Sequence, residues 1–503
     1  MKFLLAFLVA LSSTLSLYGQ SIDVEVGPII NTEEIEKQVE LPRTTPPTPF
    51  KSSFNSTALF FDPELKKAYN GYGFQNKAFQ FSVFDNYLTY SGLRKLTAEN
   101  LNELVTLNAF ITLNKKLYVL YTIKNIKQDQ FTVYASEVSS EFVLVDSPIT
   151  VKIFGELKNY GATINVSSSQ DKKYILLTTV LDPKPKETQK FDCKLIDNSF
   201  SEVWNSRIET TITGKEHNIE SISIDNSGNA YTLIEYQNGR DPKPVLFAYY
   251  WELKALKTFE PGLAVGVNFG TKLELLHGIE PYFVGLNEAD KGKEIEIKYF
   301  VDHVNPKTQA LEKVGSGIMP SDFRKMSNAN LFDMRQWNVM NILAAADGGI
   351  IASIESVVME DKYGIQHSFN AFVFSFRKDG SALWSRTIHK RQSAMPGMAG
   401  HLLVASGDAV LFVYNDDAQN LAMPVDEDDV AVFTSNNAMV MVQEIDPLGK
   451  AQKYQLTKDK ELEGFALNFN AMGKIDNGFY FDTALRISGR KSIDSRNLTL
   501  KVR

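Results

Sequence analysis

The sequence contains very little cysteine. Cys193 is the only one among 503 residues, so the chain forms no internal disulfide and its fold must depend on a hydrophobic core. A basic excess is also missing. The 53 lysines and arginines face 60 aspartates and glutamates, and the formal charge of −7 excludes the basic surface typical of nucleic-acid-binding proteins. After the extreme N-terminus, no stretch approaches the roughly 20 apolar residues of a membrane-spanning helix, so we expect no transmembrane span.

The first twenty residues have the features of an export signal. Lys2 precedes an apolar stretch from Phe3 to about Leu15, and small and polar residues follow up to Gln20. A charged start, a short apolar segment and a small-residue end predict a signal peptide at 1–20 that is removed on export. The alternative is an uncleaved membrane anchor, for which roughly thirteen apolar residues are too few. We expect an exported protein that is periplasmic, associated with the outer membrane or secreted.

Residues 21–60 differ from the rest of the chain because they are acidic and rich in proline. Glu33, Glu34, Glu36 and Glu40 precede the segment LPRTTPPTP at 41–49. This composition favours an extended, polyproline-like chain. It predicts an N-terminal tether at 21–60, followed by a single folded domain at 61–503.

The remaining sequence carries a long-period repeat. Seven short runs of apolar, β-branched and aromatic residues recur, with centres 52 to 69 residues apart. Turn segments such as DNSGN at 225–229 precede them, and Asp, Asn and Gly tolerate the positive φ of tight hairpins. In most repeats one strand is expected before the run and two after it. The runs are LYVLYTI at 117–123, YILLTTV at 174–180, AYTLIEY at 230–236, YFVGLNE at 282–288, GIIASIE at 349–355, AVLFVYN at 409–415 and GFYFDTA at 478–484.

Seven units of four antiparallel strands predict an all-β fold, a β-propeller with seven four-stranded blades. Six or eight blades are the alternatives in number, and two or three β-sandwiches are the alternative architecture. The seventh unit ends after its third strand, while an extra strand, FQFSVF at 79–84, precedes the first unit. We expect this N-terminal strand to supply the missing outer strand and close the ring, because an unpaired edge would invite aggregation.

Three segments exceed the length of the repeat, and loops of a repeated scaffold often carry its function. They are 358–367 in repeat five, 416–434 in repeat six, and 315–336 between repeats four and five. In up-and-down blades these connections leave from one end of the strands, where 389–400 joins them. We expect this rim to be the binding face. The candidate contact residues are Arg324, Lys325, Arg335, Trp337, Asp361, His367, His389, Lys390 and Arg391.

The rim is rich in carboxylates but shows no complete metal or catalytic motif. Its oxygen ligands would suit calcium, yet their spacing matches no EF-hand loop, and a solvated acidic loop is the alternative. The six histidines are scattered, and neither a nucleophile elbow nor a phosphate-binding loop is present, so we expect no cofactor. Cys193 alternates with charged neighbours in FDCKL, which predicts a buried, unreactive thiol. The weak calcium candidates are Asp416, Asp417, Asp426, Asp428 and Asp429.

Several of these features occur together in one group of proteins. The export signal, the proline-rich tether, the D-x-x-G hairpins, DGG at 347–349 and KDGSALW at 378–384 resemble uncharacterised secreted proteins of the Bacteroidetes group, whose repeats are propeller-like. The resemblance covers mainly residues 340–485. It implies a propeller fold and export, and it assigns no catalytic residue.

Two classes of function follow from these observations. The first is a non-catalytic binding or assembly module of the cell envelope, with a protein or glycan partner, since the sequence contains no catalytic constellation. The second is a propeller-type hydrolase or lyase that acts on glycans or other extracellular polymers, with rim carboxylates as catalysts. Two carboxylates that converge in a pocket at the rim would favour the enzyme, and a flat face with exposed aromatic residues would favour the binding module.

Overall fold

The computed structural model is all-β. It describes residues 22–26, 28, 30–31, 59–62, 66–75, 78–86, 88–97, 104–114, 116–125, 127–139, 143–145, 148–155, 160–181, 187–213, 217–238, 241–290, 295–320, 337–360, 365–395, 397–434, 437–457, 462, 464–469, 472–475, 478–488 and 492–502. These residues form eight antiparallel sheets, which we number in chain order. Within the described ranges, no helix is long and apolar enough to cross a membrane.

The strands follow the chain from sheet to sheet. Strands β1 (Ile22–Val26) and β2 (Ile30–Asn31) belong to sheet eight. Sheet one contains β3 (Leu59–Asp62), β4 (Lys67–Gln75), β5 (Ala78–Asp85) and β6 (Thr89–Thr97). Sheet two contains β7 (Leu104–Leu113), β8 (Lys116–Asn125), β9 (Gln130–Val138) and β10 (Ile149–Gly155). Sheet three contains β11 (Tyr160–Ser168), β12 (Tyr174–Leu181), β13 (Thr188–Asp197) and β14 (Glu202–Thr213). Sheet four contains β15 (His217–Ile224), β16 (Ala230–Asn238), β17 (Asp241–Tyr250) and β18 (Ala255–Phe259).

The second half of the chain continues the same pattern. Sheet five contains β19 (Val267–Leu276), β20 (Glu280–Asp290), β21 (Ile295–Asn305) and β22 (Ala310–Ile318). Sheet six contains β23 (Trp337–Ala344), β24 (Ile350–Glu360), β25 (Ile365–Phe376), β26 (Ala382–Ile388) and β27 (Gln392–Ala394). Sheet seven contains β28 (His401–Ser406), β29 (Ala409–Asp417), β30 (Ala438–Ile445) and β31 (Ala451–Gln455), with a 3₁₀ helix (Ala418–Ala422) after β29. Sheet eight contains β32 (Ala466–Leu467), β33 (Met472–Ile475), β34 (Gly478–Ser488) and β35 (Ser492–Val502), together with β1 and β2.

The sheets are arranged in a closed ring. Within sheets one to seven, four consecutive strands pair in up-and-down order, and in sheet eight β32 and β33 both pair with β34, which pairs with β35. The first strands of sheets one to seven contact one another in order, β29 and β30 of sheet seven contact β32 of sheet eight, and β33 of sheet eight contacts β3 of sheet one. This architecture is a β-propeller with the first strands innermost, as predicted, and it excludes the sandwich alternative.

The number of blades differs from the favoured prediction of seven. All seven runs found in the sequence are second strands, one in each of sheets two to eight. Sheet one was missed because its second strand, KAYNGYGFQ, contains two glycines and an asparagine instead of a continuous apolar run. Eight blades, one of the stated alternatives, is therefore the correct number.

An N-terminal strand supplies the outer strand of the last blade, as expected, but it is not the strand that we predicted. Strand β1 pairs antiparallel with β35, from Ile22 opposite Val502 to Val26 opposite Leu498. The segment 79–84 instead lies in β5, between β4 and β6 of sheet one. The proposed tether is corrected as well, since β1 and β2 are part of sheet eight. The signal peptide and most of the proline-rich segment lie outside the described residues.

The hydrophobic core lies between neighbouring sheets, because alternate residues of each strand face opposite neighbours. Between sheets five and six, Tyr299 packs on Phe374 with ring centroids 4.3 Å apart. Val24 and Val26 of β1 pack against the cluster shared by sheets seven and eight. The N-terminal strand therefore contributes both backbone pairing and apolar contact to ring closure.

Cys193 lies in β13 and is 2% exposed, which confirms that it is buried. Burial raises the pKa of its thiol to about 12, and its Sγ lies 3.7 Å from Thr178 Oγ1. We expect no labelling by a thiol reagent in the native protein at pH 8, and complete labelling in urea. Spectrophotometric thiol titration measures both, and fast labelling of the native protein would contradict the burial of this side chain.

Candidate functional site

One end of the propeller carries both kinds of long connection found in the sequence. Because the strands alternate in direction, second-to-third-strand loops and sheet-to-sheet connections leave from the same end, which we call the rim face. Strand β27 pairs with β25 there, and the amide of Phe433 donates to the carbonyl of Arg391 at 2.9 Å. The connection after sheet six therefore contacts the insertion of sheet seven on this face.

The predicted contact residues have different positions in the structure. Arg324, Lys325, Arg335 and Asp361 lie outside the described residues. His367 is half-buried in β25, where its backbone is in register with Ser393 of β27. His389 and Arg391 are half-buried in the connection after sheet six.

Two of the predicted contact residues are in the interior, and their assignment is corrected. Trp337 is the first residue of β23 and is 1% exposed. Its side chain points into the core between sheets five and six and packs there. Lys390 is fully buried in an ion pair with Glu355. Neither side chain is available on the surface of the rim.

The calcium candidates differ in their surroundings. Asp416 accepts hydrogen bonds from the amide of Asp417 at 2.9 Å and from Asn420 Nδ2 at 2.7 Å. Asp417 caps the 3₁₀ helix, and Asp426 pairs with Arg386. Asp428 and Asp429 are exposed. Among the described residues, no group of three or more His, Cys, Asp or Glu side chains is arranged to hold a metal ion.

A set of polar residues near the rim ends of the second strands joins each sheet to the next. Glu235 of β16 accepts a hydrogen bond from the backbone of Gly270 in β19. Glu355 of β24 is paired with His401 of β28. Asn415 of β29 accepts from the amide of Leu467 in β32 at 2.8 Å. Each side chain thus bonds to the first strand of the following sheet.

Sequence reasoning missed these residues although they stand within the runs that it identified. In the runs AYTLIEY and GIIASIE, a glutamate follows four or more apolar or small residues. Glu235 is in register with Asn218, and Glu355 with Asn338, so the two glutamates occupy equivalent positions in sheets four and six. A glutamate at the same place in two otherwise apolar second strands is unusual, and this pattern could have located the site from the sequence.

Glu355 belongs to a polar cluster that is sealed from solvent. The ammonium group of Lys390 donates to Glu355, to Ser368 Oγ at 2.6 Å and to Gln392 Oε1 at 2.7 Å. His401 Nδ1 lies 2.5 Å from Glu355 Oε2, and its Nε2 lies 2.8 Å from Ser353 Oγ. The side chains of Glu355, Lys390 and His401 have no solvent exposure.

The serine, histidine and carboxylate of this cluster follow the order of a hydrolytic triad, but no substrate can reach them. Burial lowers the pKa of His401 and of Lys390. Burial also opposes ionisation of Glu355, yet the charge of Lys390 and the hydrogen bond with His401 outweigh it and lower the pKa of Glu355. The cluster therefore ties sheet six to sheet seven through an ionised glutamate.

Glu235 has a different environment, because it lines an open cavity of about 540 Å³ at the rim end of sheets four, five and six. Gly270 lines the same cavity, and a Cβ at this residue would lie 2.7 Å from the carbonyl oxygen of Trp337. Any side chain here would therefore clash with the backbone of β23. The other lining residues are Asn218, Glu220, Ser221, Pro242, Phe269, Thr271, Lys272, Leu273, Asn338 and Val339.

The carboxylates and hydroxyls of this cavity have few hydrogen-bond or ion-pair partners among the described residues. Burial and the nearby charge of Glu220 raise the pKa of Glu235 to about 7, against the opposing hydrogen bond from Gly270. Burial also raises the pKa of Glu220. Thr271 is 4% exposed, and its Oγ1, like Ser221 Oγ, is buried without a hydrogen-bond partner in the part of the chain that the structure describes. The cavity thus presents acceptors and hydroxyls that could bond to a ligand.

The raised pKa of Glu235 predicts that a Glu235→Gln variant is more stable than the native chain at pH 8, by about 1–2 kcal/mol after allowance for solvent screening. The folded state binds the proton more tightly than the unfolded state, so the native chain loses stability as pH rises from about 4.5 to 7. Urea unfolding at pH 4 and pH 8 measures the difference. We expect the two proteins to be equally stable at pH 4, and equal stability at pH 8 would contradict the raised pKa.

A second, smaller cavity of about 430 Å³ adjoins the first, since Pro242 lines both. Lys243 and Glu260 line it and form an ion pair at 2.6 Å. Lys313 also lines it and pairs with buried Asp302 at 3.0 Å. Lys243 and Lys313 are therefore each paired with a carboxylate of the fold.

Comparisons with solved structures return propellers at very low identity. The WD40 domain of SCAP from fission yeast is 9% identical with a TM-score of 0.38, and the match covers 97% of this chain and 96% of that one. The β-propeller domain of the Trilobed protease from Pyrococcus furiosus is 9% identical with a TM-score of 0.34, over 78% and 92%. Pyrococcus horikoshii acylaminoacyl peptidase is 10% identical with a TM-score of 0.33, over 86% and 58%. No protein-family model and no curated protein matches the chain. With TM-scores this low, the fold assignment rests on the sheet topology itself.

Proposed function

We propose that the chain is a non-catalytic, exported β-propeller that acts as a binding or assembly module of the cell envelope. Its binding site is the cavity lined by Glu220 and Glu235 at the rim face. The partner is a protein or glycan of the envelope.

One observation carries this proposal: the side chains with a catalytic arrangement are buried, and the cavity that is open to solvent lacks such an arrangement. The aligned serine, histidine and glutamate are sealed between sheets six and seven. In the open cavity, Ser221 Oγ has no hydrogen-bond partner among the described residues, so none of them acts as a base toward it. An accessible polar cavity without an activated nucleophile favours binding over covalent catalysis.

Affinity capture from an envelope extract of the source cells tests this proposal. Glu235→Arg would fill the cavity and reverse its charge, while Glu274→Gln changes a charge on β19 outside the cavity lining. We expect the native chain and Glu274→Gln to retain the same partner, and Glu235→Arg to lose it. Equal capture by Glu235→Arg, with circular dichroism showing that it is folded, would overturn the assignment of the site.

A specific observation also supports the hydrolase as a second candidate. Two carboxyl groups share the cavity, and a carboxyl group with a pKa of about 7, as at Glu235, suits a general acid. Release of reducing ends from a panel of soluble oligosaccharides tests it. Activity that Glu235→Gln abolishes would establish catalysis, and the absence of any product would leave the binding module as the function.

A further inference from the structure

We propose that the cavity at Glu235 binds an organic cation, namely the primary ammonium group of a lysine side chain or a similar amine. This inference rests on the proposed function, because it names the ligand class of the same site. It predicts a basic peptide segment as the part of the partner that enters the cavity.

The charges of the lining favour a cation. Among its residues the titratable groups are Glu220 on β15, Glu235 on β16 and Lys272 on β19. The ammonium of Lys272 donates to the carbonyl of Met340 on β23, and burial lowers its pKa. The two carboxylates repel each other, and an ammonium ligand would relieve that repulsion.

The uncharged groups of the cavity match the donors of an ammonium group. An ammonium carries three N–H donors and no acceptor. Thr271 Oγ1 and Ser221 Oγ are buried oxygens that bond to none of the described residues, and each can accept one of these donors. Leaving a buried hydroxyl unpaired is unfavourable, so a ligand that bonds to either hydroxyl gains affinity.

The size of the cavity also suits a side chain, not an isolated ion. About 540 Å³ exceeds by far the space of one water-sized ion and is within the range of small-molecule sites. Phe269, Leu273 and Val339 contribute apolar surface to the lining, against which a methylene chain can pack. The ammonium and the aliphatic stem of a lysine would therefore both find complementary contacts.

Binding of a cation must be coupled to the proton on Glu235. The ammonium prefers the ionised carboxylate, so the ligand displaces a proton below a pH of about 7. We expect affinity to rise about tenfold between pH 6 and pH 8, the range over which Glu235 becomes ionised. A neutral ligand has no such dependence.

Isothermal titration calorimetry with Nα-acetyl-lysine amide tests the inference, with Nα-acetyl-norleucine amide as the uncharged control of similar size. We expect the lysine probe to bind with a dissociation constant that falls about tenfold from pH 6 to pH 8. The norleucine probe should show no binding. In Glu235→Gln, lysine affinity should fall at least about tenfold and lose its pH dependence, while Glu274→Gln should behave as the native chain.

Each other result overturns the inference. Equal binding of the two probes, binding of lysine that does not depend on pH, or unchanged binding in Glu235→Gln would exclude recognition of the cation at this carboxylate. If the lysine probe does not bind but Glu235→Arg still loses the envelope partner, the cavity binds another ligand class and only this inference fails. If Glu235→Arg keeps the partner as well, the proposed function fails with it.

Discussion

Replacing Lys390 with methionine should lower the free energy of unfolding by about 3–5 kcal/mol. The native ammonium and the carboxylate of Glu355 are both fully buried, and methionine has a similar length without the charge. The variant would leave Glu355 ionised against His401 alone. Urea unfolding, followed by tryptophan fluorescence at pH 8, measures the loss.

Two controls separate this ion pair from a general effect of mutation. Combining Lys390→Met with Glu355→Gln removes both charges, and we expect this double variant to be more stable than Lys390→Met alone. The charge of Lys390 also helps to keep the pKa of His401 low. Its removal should let His401 protonate, so the deficit of Lys390→Met should shrink between pH 8 and pH 5. A deficit below about 1 kcal/mol at pH 8 would show that the cluster does not tie the two sheets together.

Changing Val24 and Val26 together to aspartate should destabilise the ring by about 2–5 kcal/mol. Both side chains pack against the core that sheets seven and eight share, so the variant would place two charges against apolar surface. Strand β1 would then separate from β35 and leave it as an unpaired edge. We expect a lower urea midpoint, and concentration-dependent association detectable by light scattering.

Glu25 supplies the matched control on the same strand. It lies between the two valines and forms an exposed ion pair with Lys501 at 3.0 Å. Glu25→Ala should change stability by less than about 1 kcal/mol. Equal stability of the double aspartate variant and the native chain would contradict closure through β1.

The propeller could be predicted from the sequence because its second strands are uniformly apolar and are introduced by turn residues. The number of sheets and the strand that closes the ring could not be predicted in this way. Sheet one has a second strand interrupted by Gly71 and Gly73, so its periodicity is weak. Strand β1 is only five residues long and precedes an acidic, proline-rich segment, and its pairing with β35 joins residues almost at opposite ends of the chain. No local pattern encodes a contact at that separation.

The rim face could be predicted from topology, but its chemistry could not be read from loop composition. The prediction placed Lys390 at the surface because this residue stands in a basic run. In the structure its ammonium group is paired with the carboxylate of Glu355, which lies 35 residues earlier in the sequence. Glu235 was not predicted as a site residue, because its neighbours in the run have the composition of a buried core strand. Both glutamates occupy the same register, and only the arrangement of neighbouring sheets makes one sealed and the other accessible.

Among the described residues, the carboxyl group of Glu235 in the open cavity has no ion-pair partner, and direct titration of that group is the most decisive measurement. Carbon-13 NMR of the native chain with labelled glutamate, with the Glu235 resonance assigned by its loss in Glu235→Gln, would follow its ionisation. We predict a midpoint near pH 7. A midpoint near 4.5, the ordinary value for a glutamate, would show that the group is fully solvated and that the cavity is not the site described here.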